Sequence, residues 1–239
     1  MHSFQTIVDD EIAFHSGHPT CDAAHGALLG MLNTLGTSFL GTSSTISNSQ
    51  KGNLGEFISY QIAMVRYPVP AHVRFSGNAL NPLSRISGAG VDLVYLYLDH
   101  LHPANDLLYI QEVKTTGAAD LDYFDALKSD YKKLFGNDPQ LTLKSRVQYI
   151  QNILEFERGD MVSSQRVAAL ASVDPATSSR IRLIPTGISA TGVGDPKAKL
   201  QAIRSSIAAF GWPQANISPW SIVMSDLEHR LNRLARGHS

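Results

Sequence analysis

The chain has one cysteine among its 239 residues, Cys21, which excludes an internal disulfide framework and fits a reducing compartment. It lacks a basic start followed by an apolar stretch, so secretion is not indicated and a cytoplasmic location is expected. Apolar runs such as residues 91–98 are interrupted and fall far short of the ~20 residues that a membrane span needs, so no membrane association is expected. Also missing is a marked excess of one charge. The net charge is −1, and composition alone does not advertise a nucleic-acid binder. With 43% hydrophobic and 17% charged residues, the chain is excluded from the disordered class and can bury a real core. No internal repeat is visible.

The charge that is present is unevenly placed. Residues 1–119 carry 5 Lys and Arg against 9 Asp and Glu, whereas residues 120–239 carry 15 against 12. An acidic half that can bind metal ions, joined to a basic half that can hold phosphates, is compatible with a nuclease.

Periodicity divides the chain into helices and strands. Small and apolar residues over 22–35 suggest a helix capped by Asp22. Residues 36–52 are rich in Gly, Ser and Thr and read as a loop. Asn53 then opens a helix in which Leu54, Phe57, Ile58, Ile62 and Val65 recur at helical spacing, with Pro68 closing it. A short strand at 72–75 precedes two stronger ones, 91–98 and 107–114. These are rich in β-branched and aromatic residues and are joined by a turn-forming segment, which reads as an antiparallel hairpin. Helices are expected over 121–135, 141–157, 163–171, 196–210 and 219–236, with one further strand at 181–188. In the last helix, Asp226 and Glu228 stand ahead of Arg230, Arg233 and Arg236, which suits the helix dipole and ion pairs along one face. The expected fold class is α/β in a single domain, with a core over about 52–190 and a helical C-terminal part over about 191–239.

The hairpin carries the chemistry. Side chains alternate along a strand, so Asp92, Val94, Leu96 and Leu98 share one face of the first strand. Leu108, Ile110, Glu112 and Lys114 share one face of the second. Antiparallel pairing sets the start of the first strand beside the end of the second, and Asp92 then meets Glu112 and Lys114 at the end of an apolar surface. Two carboxylates offer hard oxygen ligands to Mg²⁺, with Mn²⁺ as a substitute, and the lysine can orient a water or stabilise charge on a phosphate. The bland alternative is a structural ion pair at a sheet end.

Gly90-Val91-Asp92 on one strand and Gln111-Glu112-Val113-Lys114 on the next resemble the core of the PD-(D/E)xK nuclease superfamily. The resemblance covers roughly residues 52–116. It implies a restriction-endonuclease-like mixed central sheet flanked by helices, and metal-dependent cleavage of DNA. It also implies that Asp92 and Glu112 bind metal and that Lys114 is catalytic. The superfamily often adds a glutamate on the preceding helix, and Glu56 in Leu54-Gly55-Glu56 occupies that place. Asn53 to Glu56 reads equally as a capping box, with Glu56 returning to the Asn53 backbone. This sequence departs from the pattern in having Val91, not proline, before Asp92. The Leu-Gly-Glu helix and the two strand motifs are also similar to the nuclease subunit of Hachiman-type anti-phage systems, which implies a helicase partner. A sequence-specific restriction endonuclease acting as a homodimer, and a catalytically silent DNA-binding or assembly module, are the rival readings.

Other candidates are weaker. His15, His18, Cys21 and His25 have zinc-ligand residue types without the spacing of a known zinc module. The segment 187–194 is glycine-rich, but no Gly-Lys-Ser/Thr follows, which argues against a nucleotide-binding loop. Lys128, Lys132 and Lys133 read as a solvated helix face able to meet a DNA backbone. Arg146, Gln148 and Gln151 lie on a later helix from which a polar residue can support such a site. Trp212 and Trp220, beside prolines, read as packing residues.

Overall fold

A computed structural model describes residues 12–14, 46–66, 72–76, 92–99, 101–134, 143–152, 154–155, 159–171 and 180–236. Six strands, β1 (Ile12–Phe14), β2 (His72–Ser76), β3 (Leu93–Tyr97), β4 (Leu107–Thr116), β5 (Ile181–Ala190) and β6 (Trp220–Met224), form one mixed sheet. Across the sheet they run β1, β6, β5, β4, β3, β2. The first four are mutually parallel, while β3 is antiparallel to β4 and β2 to β3. The helices are α1 (Asn48–Arg66), α2 (Ala126–Lys133), α3 (Leu143–Asn152), α4 (Met161–Ala171), α5 (Pro196–Ala208) and α6 (Leu227–Arg236). The architecture is mixed α/β, with helices against both faces of the sheet.

Strand alternation builds two cores. Tyr109 and Val113 of β4 pack with Leu54, Phe57, Ile58 and Ile62 of α1 and with Leu227 and Leu231 of α6. Their neighbours Leu108 and Ile110 point the other way, towards Leu127 and Tyr131 of α2, Val147 of α3, Val167 of α4 and Ile203 of α5. Gly55 lets α1 lie close on its face, because a Cβ there would come within 1.8 Å of Thr115 Oγ1. Pro185 is tolerated in central β5 because pairing lapses there on the β6 side, while the ladder with β4 runs through it, Glu112 opposite Pro185. Leu183 bridges Ile217, and the ladder resumes only at Thr186 opposite Trp220.

The expected hairpin is present, with Leu93 opposite Gln111 and Tyr97 opposite Leu107. Four expectations are corrected. Helix α1 begins at Asn48, not Asn53, so the last part of the supposed loop is helical. A capping box exists six residues earlier: Ser47 Oγ accepts from Gln50 N (3.2 Å), and Gln50 Oε1 accepts from Ser47 N (2.9 Å). The segment 219–236 is not one helix. Trp220–Met224 is a strand inserted between β1 and β5, and Asp226, at φ 52°, turns the chain into α6. The part beyond residue 190 is therefore not purely helical but completes the sheet. Gly187 belongs to β5 and lies under the Phe124 ring, which a Cβ would strike at 2.3 Å. The helix expected at 22–35 and the residues His15, His18, Cys21 and His25 lie outside the described residues.

Trp212 and Trp220 are buried, as packing residues should be. Arg230 turns back to Ser225, donating to its carbonyl (2.6 Å) and hydroxyl (3.1 Å), while Glu228 pairs with Lys51 of α1. Among the described residues, no helix is long and apolar enough to cross a membrane.

Candidate functional site

Register and alternation bring Asp92, Glu112 and Lys114 together on the α2 side of the sheet, at the end of β4 remote from the hairpin loop. Asp92 immediately precedes β3, and its Oδ2 accepts from the Val113 backbone N–H at 2.7 Å. That bond anchors the carboxylate across the strand pair and beside Glu112, within hydrogen-bonding reach of it. Glu112 is buried at 5% exposure. Lys114 keeps only 14% of its side chain exposed, so a charge that would normally seek water is held at the sheet.

Two residues of α2 complete the arrangement, and neither was singled out from the sequence. The fully buried Tyr131 accepts from the Glu112 N–H and donates to the Ile110 carbonyl, both at 3.2 Å. This pins the helix to β4 at the position of the site. The preceding residue, Asp130, meets the Lys114 ammonium at 2.6 Å through Oδ2, while its Oδ1 accepts from Lys133 at 2.8 Å. Of the later-helix candidates, Gln148 is exposed and bonds Asn152. The lysine face of α2 is engaged locally: Lys128 pairs with Asp125, and Lys132 sits 5.9 Å from the Phe210 ring centroid.

The electrostatics follow from enclosure. Burial raises the Asp92 carboxyl above the ordinary aspartate value, with Asp130 adding to the rise and Lys114 and the Val113 N–H opposing it. Burial alone would lower the pKa of Lys114, but Asp92, Glu112 and Asp130 outweigh it and hold the lysine above its ordinary value. Asp130 is also pushed up by burial, yet Lys114 and Lys133 together keep it below the ordinary value. Three carboxyl groups thus surround one enclosed ammonium, and the hydrogen bond between Asp92 and Glu112 joins Lys114 and the Val113 N–H in opposing the rise at Asp92.

A divalent cation suits this donor set, because its charge would offset the burial that raises Asp92. Among the described residues no group of three or more His, Cys, Asp or Glu forms a cage for a metal. A two-carboxylate site is nevertheless what Mg²⁺ takes, since it retains several waters and rarely uses an all-protein cage.

Glu56 stands apart in its origin. It is a mid-helix residue of α1, buried at 7% exposure, so the capping-box reading of Asn53 and Glu56 is overturned. It follows Gly55, which rests on Thr115, the strand residue next to Lys114, on the reverse face of the sheet. No family model and no curated protein matches the sequence.

Proposed function

We infer that the chain is a divalent-metal-dependent nuclease that hydrolyses phosphodiester bonds in DNA. The observation that carries this reading is the enclosed set of Asp92, Glu112, Asp130 and Lys114 on one sheet face, in which carboxylates outnumber ammonium groups. With Lys133 on Asp130, two ammonium groups stand against three carboxyl groups, and the unmatched one is Asp92, whose ionisation burial opposes. The mixed sheet, with an antiparallel hairpin feeding parallel strands, supports a restriction-endonuclease-like fold.

Asp92 and Glu112 would hold Mg²⁺, or Mn²⁺ in its place, which when bound polarises a phosphoryl oxygen and lowers the pKa of a bound water. Lys114, set beside Asp92, Glu112 and Asp130, would act at the attacking water or at the phosphate. It donates hydrogen bonds, orienting the attacking water or stabilising charge that develops on the phosphate. Glu56, buried on the reverse face near the end of β4, is the candidate for an additional carboxylate. A net charge of −1 leaves room for delivery of DNA by another protein, and the resemblance to Hachiman-type nuclease subunits is what points to a helicase partner and a defence role.

The test is incubation with plasmid and linear DNA, in Mg²⁺ or in EDTA, alongside Lys114→Ala. Metal-dependent cutting that the variant lacks supports the reading, and discrete fragments would move it to a sequence-specific homodimer. Metal binding with no cutting of any nucleic acid, with or without a helicase, would instead indicate a silent binding or assembly module.

A further inference from the structure

A 3₁₀ turn, Asp122–Asp125, runs straight into α2, so residues 122–133 form one helical run over the site. Phe124, Leu127 and Tyr131 make its buried stripe. One flank, with Asp125 and Lys132, lies towards α5 and the residues just beyond it. Lys199 reaches Asp125 there at 3.0 Å, and Lys132 lies 5.9 Å from the Phe210 ring centroid. Tyr123, Ala126 and Asp130 follow one another at spacings of three and four residues, and so share the opposite flank. That flank faces the site, because Asp130 meets the Lys114 ammonium at 2.6 Å. Phe124 lies on Gly187, the strand partner of Lys114, which sets the turn level with the site. A single exposed aromatic is ordinary on a protein surface. Tyr123, at 55% exposure, is set apart by standing in line with Asp130 at the rim of the charged cluster.

We propose that Tyr123 is a substrate-binding residue, a platform on which one base of an unpaired DNA strand stacks as the strand enters the site. This rests on the nuclease reading of the site and narrows its substrate class. Every base has a π-face on which an aromatic ring can stack. In a duplex those faces are covered by the neighbouring bases, so a ring standing outward on a helix meets one only where the strand is single or frayed. Lys133, on the same flank and with 54% of its side chain exposed, offers a cation to the phosphates of that strand. Unpaired DNA is also the form that a helicase delivers.

Binding tests this without catalysis: the whole chain, in EDTA so that nothing is cut, is titrated into fluorescent DNA strands of about 16 nucleotides and followed by anisotropy. Wild type should bind a thymidine strand more tightly than a duplex of the same length. Tyr123→Ala should weaken the thymidine strand roughly 10- to 100-fold, Tyr123→Phe by less than about twofold, and neither should alter duplex binding. An abasic strand keeps the phosphates and lacks the bases, so the alanine change should leave its affinity as it was. Wild type should also bind the abasic strand more weakly than the thymidine strand, a comparison that needs no variant to fold. The proposal is overturned by no loss at alanine, by an equal loss on the abasic strand, or by a loss at phenylalanine as large as at alanine. Wild type that binds no single strand overturns it too. Cleavage assays alongside separate the two readings. Wild type that binds as expected but cuts nothing defeats the nuclease reading and leaves the strand site standing. Wild type that cuts, while Tyr123→Ala binds the thymidine strand equally well, defeats the role of Tyr123 alone.

Discussion

Adjacent residues of β4 carry two buried polar clusters, one on each face of the sheet, built on opposite principles. On the α1 side, Gln111 accepts from the Tyr95 hydroxyl and donates to Thr186 Oγ1 at 2.7 Å, and Thr186 donates onward to the Ile184 carbonyl at 3.2 Å. Each donor in that row ends on an acceptor within the protein, and no charge is involved. On the α2 side, Glu112 lies among Asp92, Lys114 and Asp130, a charged set with a surplus of carboxylate. A neutral closed row is a satisfied core network that fixes strand register. A charged, unbalanced one is costly to bury and gains from a cation or substrate. Sequence position separates the two by one residue; chemistry separates them into structure and function.

The largest expected effect breaks the symmetry between these neighbours. The near-isosteric changes Asp92→Asn and Glu112→Gln each remove charge that burial penalises. They should abolish metal-dependent cleavage, by roughly 10³-fold or more, while leaving the melting temperature unchanged or raised. Cleavage assays beside thermal melts measure both. A melting temperature that collapses in either variant would mean that the charged set is structural after all.

The reverse change comes next in size. Gln111→Leu leaves the Tyr95 hydroxyl and the Thr186 hydroxyl without their partner in a buried site. It should cost about 1–3 kcal/mol of stability in denaturant titrations while cleavage per folded molecule is retained. Loss of activity without loss of stability would contradict the division of labour between the two faces.

That division was partly legible in the sequence. The hairpin, its register and the shared face of Asp92, Glu112 and Lys114 follow from period-two alternation and the turn residues between the strands, both of which are local signals. Asp130 and Tyr131 were not legible as site residues. Their roles depend on how α2 crosses β4, a tertiary fact that helical spacing does not encode. The start of α1 was misread because Ser47, Asn48 and Ser49 look like loop residues, although Ser47 with Gln50 is itself a capping signal. Strand β6 was hidden because the five residues Trp220–Met224 lie too close to the amphipathic pattern of α6 to declare a separate period. Helical propensity yielded there to the open edge of β5.

The pH dependence sharpens the comparison, because only the charged face titrates. The raised Asp92 pKa means that the metal-free fold binds an extra proton, so this group's contribution to stability falls as pH rises from the ordinary aspartate range through the raised value. Ionised Asp92 is also the form that binds metal. The stabilisation by Mg²⁺, read as a rise in melting temperature, should therefore grow across the same window, approaching about 2.7 kcal/mol of free energy at a hundredfold excess over Kd. Lys114 has the opposite sense: its contribution is complete below its ordinary value of 10.5 and is lost as pH rises through the raised one. Melts with and without Mg²⁺ across the acid-to-neutral range would measure the window, and a Mg²⁺ effect independent of pH would detach Asp92 from the metal.

The smallest effect should come from Tyr131→Phe, which removes one hydroxyl from beneath the site and no charge from it. The ring remains to fill its buried position, so packing is conserved. The Glu112 N–H loses an acceptor and the Ile110 carbonyl a donor. The expected cost is about 0.5–1.5 kcal/mol, the usual net worth of a buried hydrogen bond. Because the same hydroxyl ties α2 to β4 beside the site, a small fall in kcat should accompany it. A stability loss of this size with kcat unchanged would show that the packing of Leu127 in α2, and of Phe124 just before it, suffices to seat the helix. A fall in kcat of roughly 100-fold or more would give the hydroxyl a role at the reacting atoms that its enclosed position argues against.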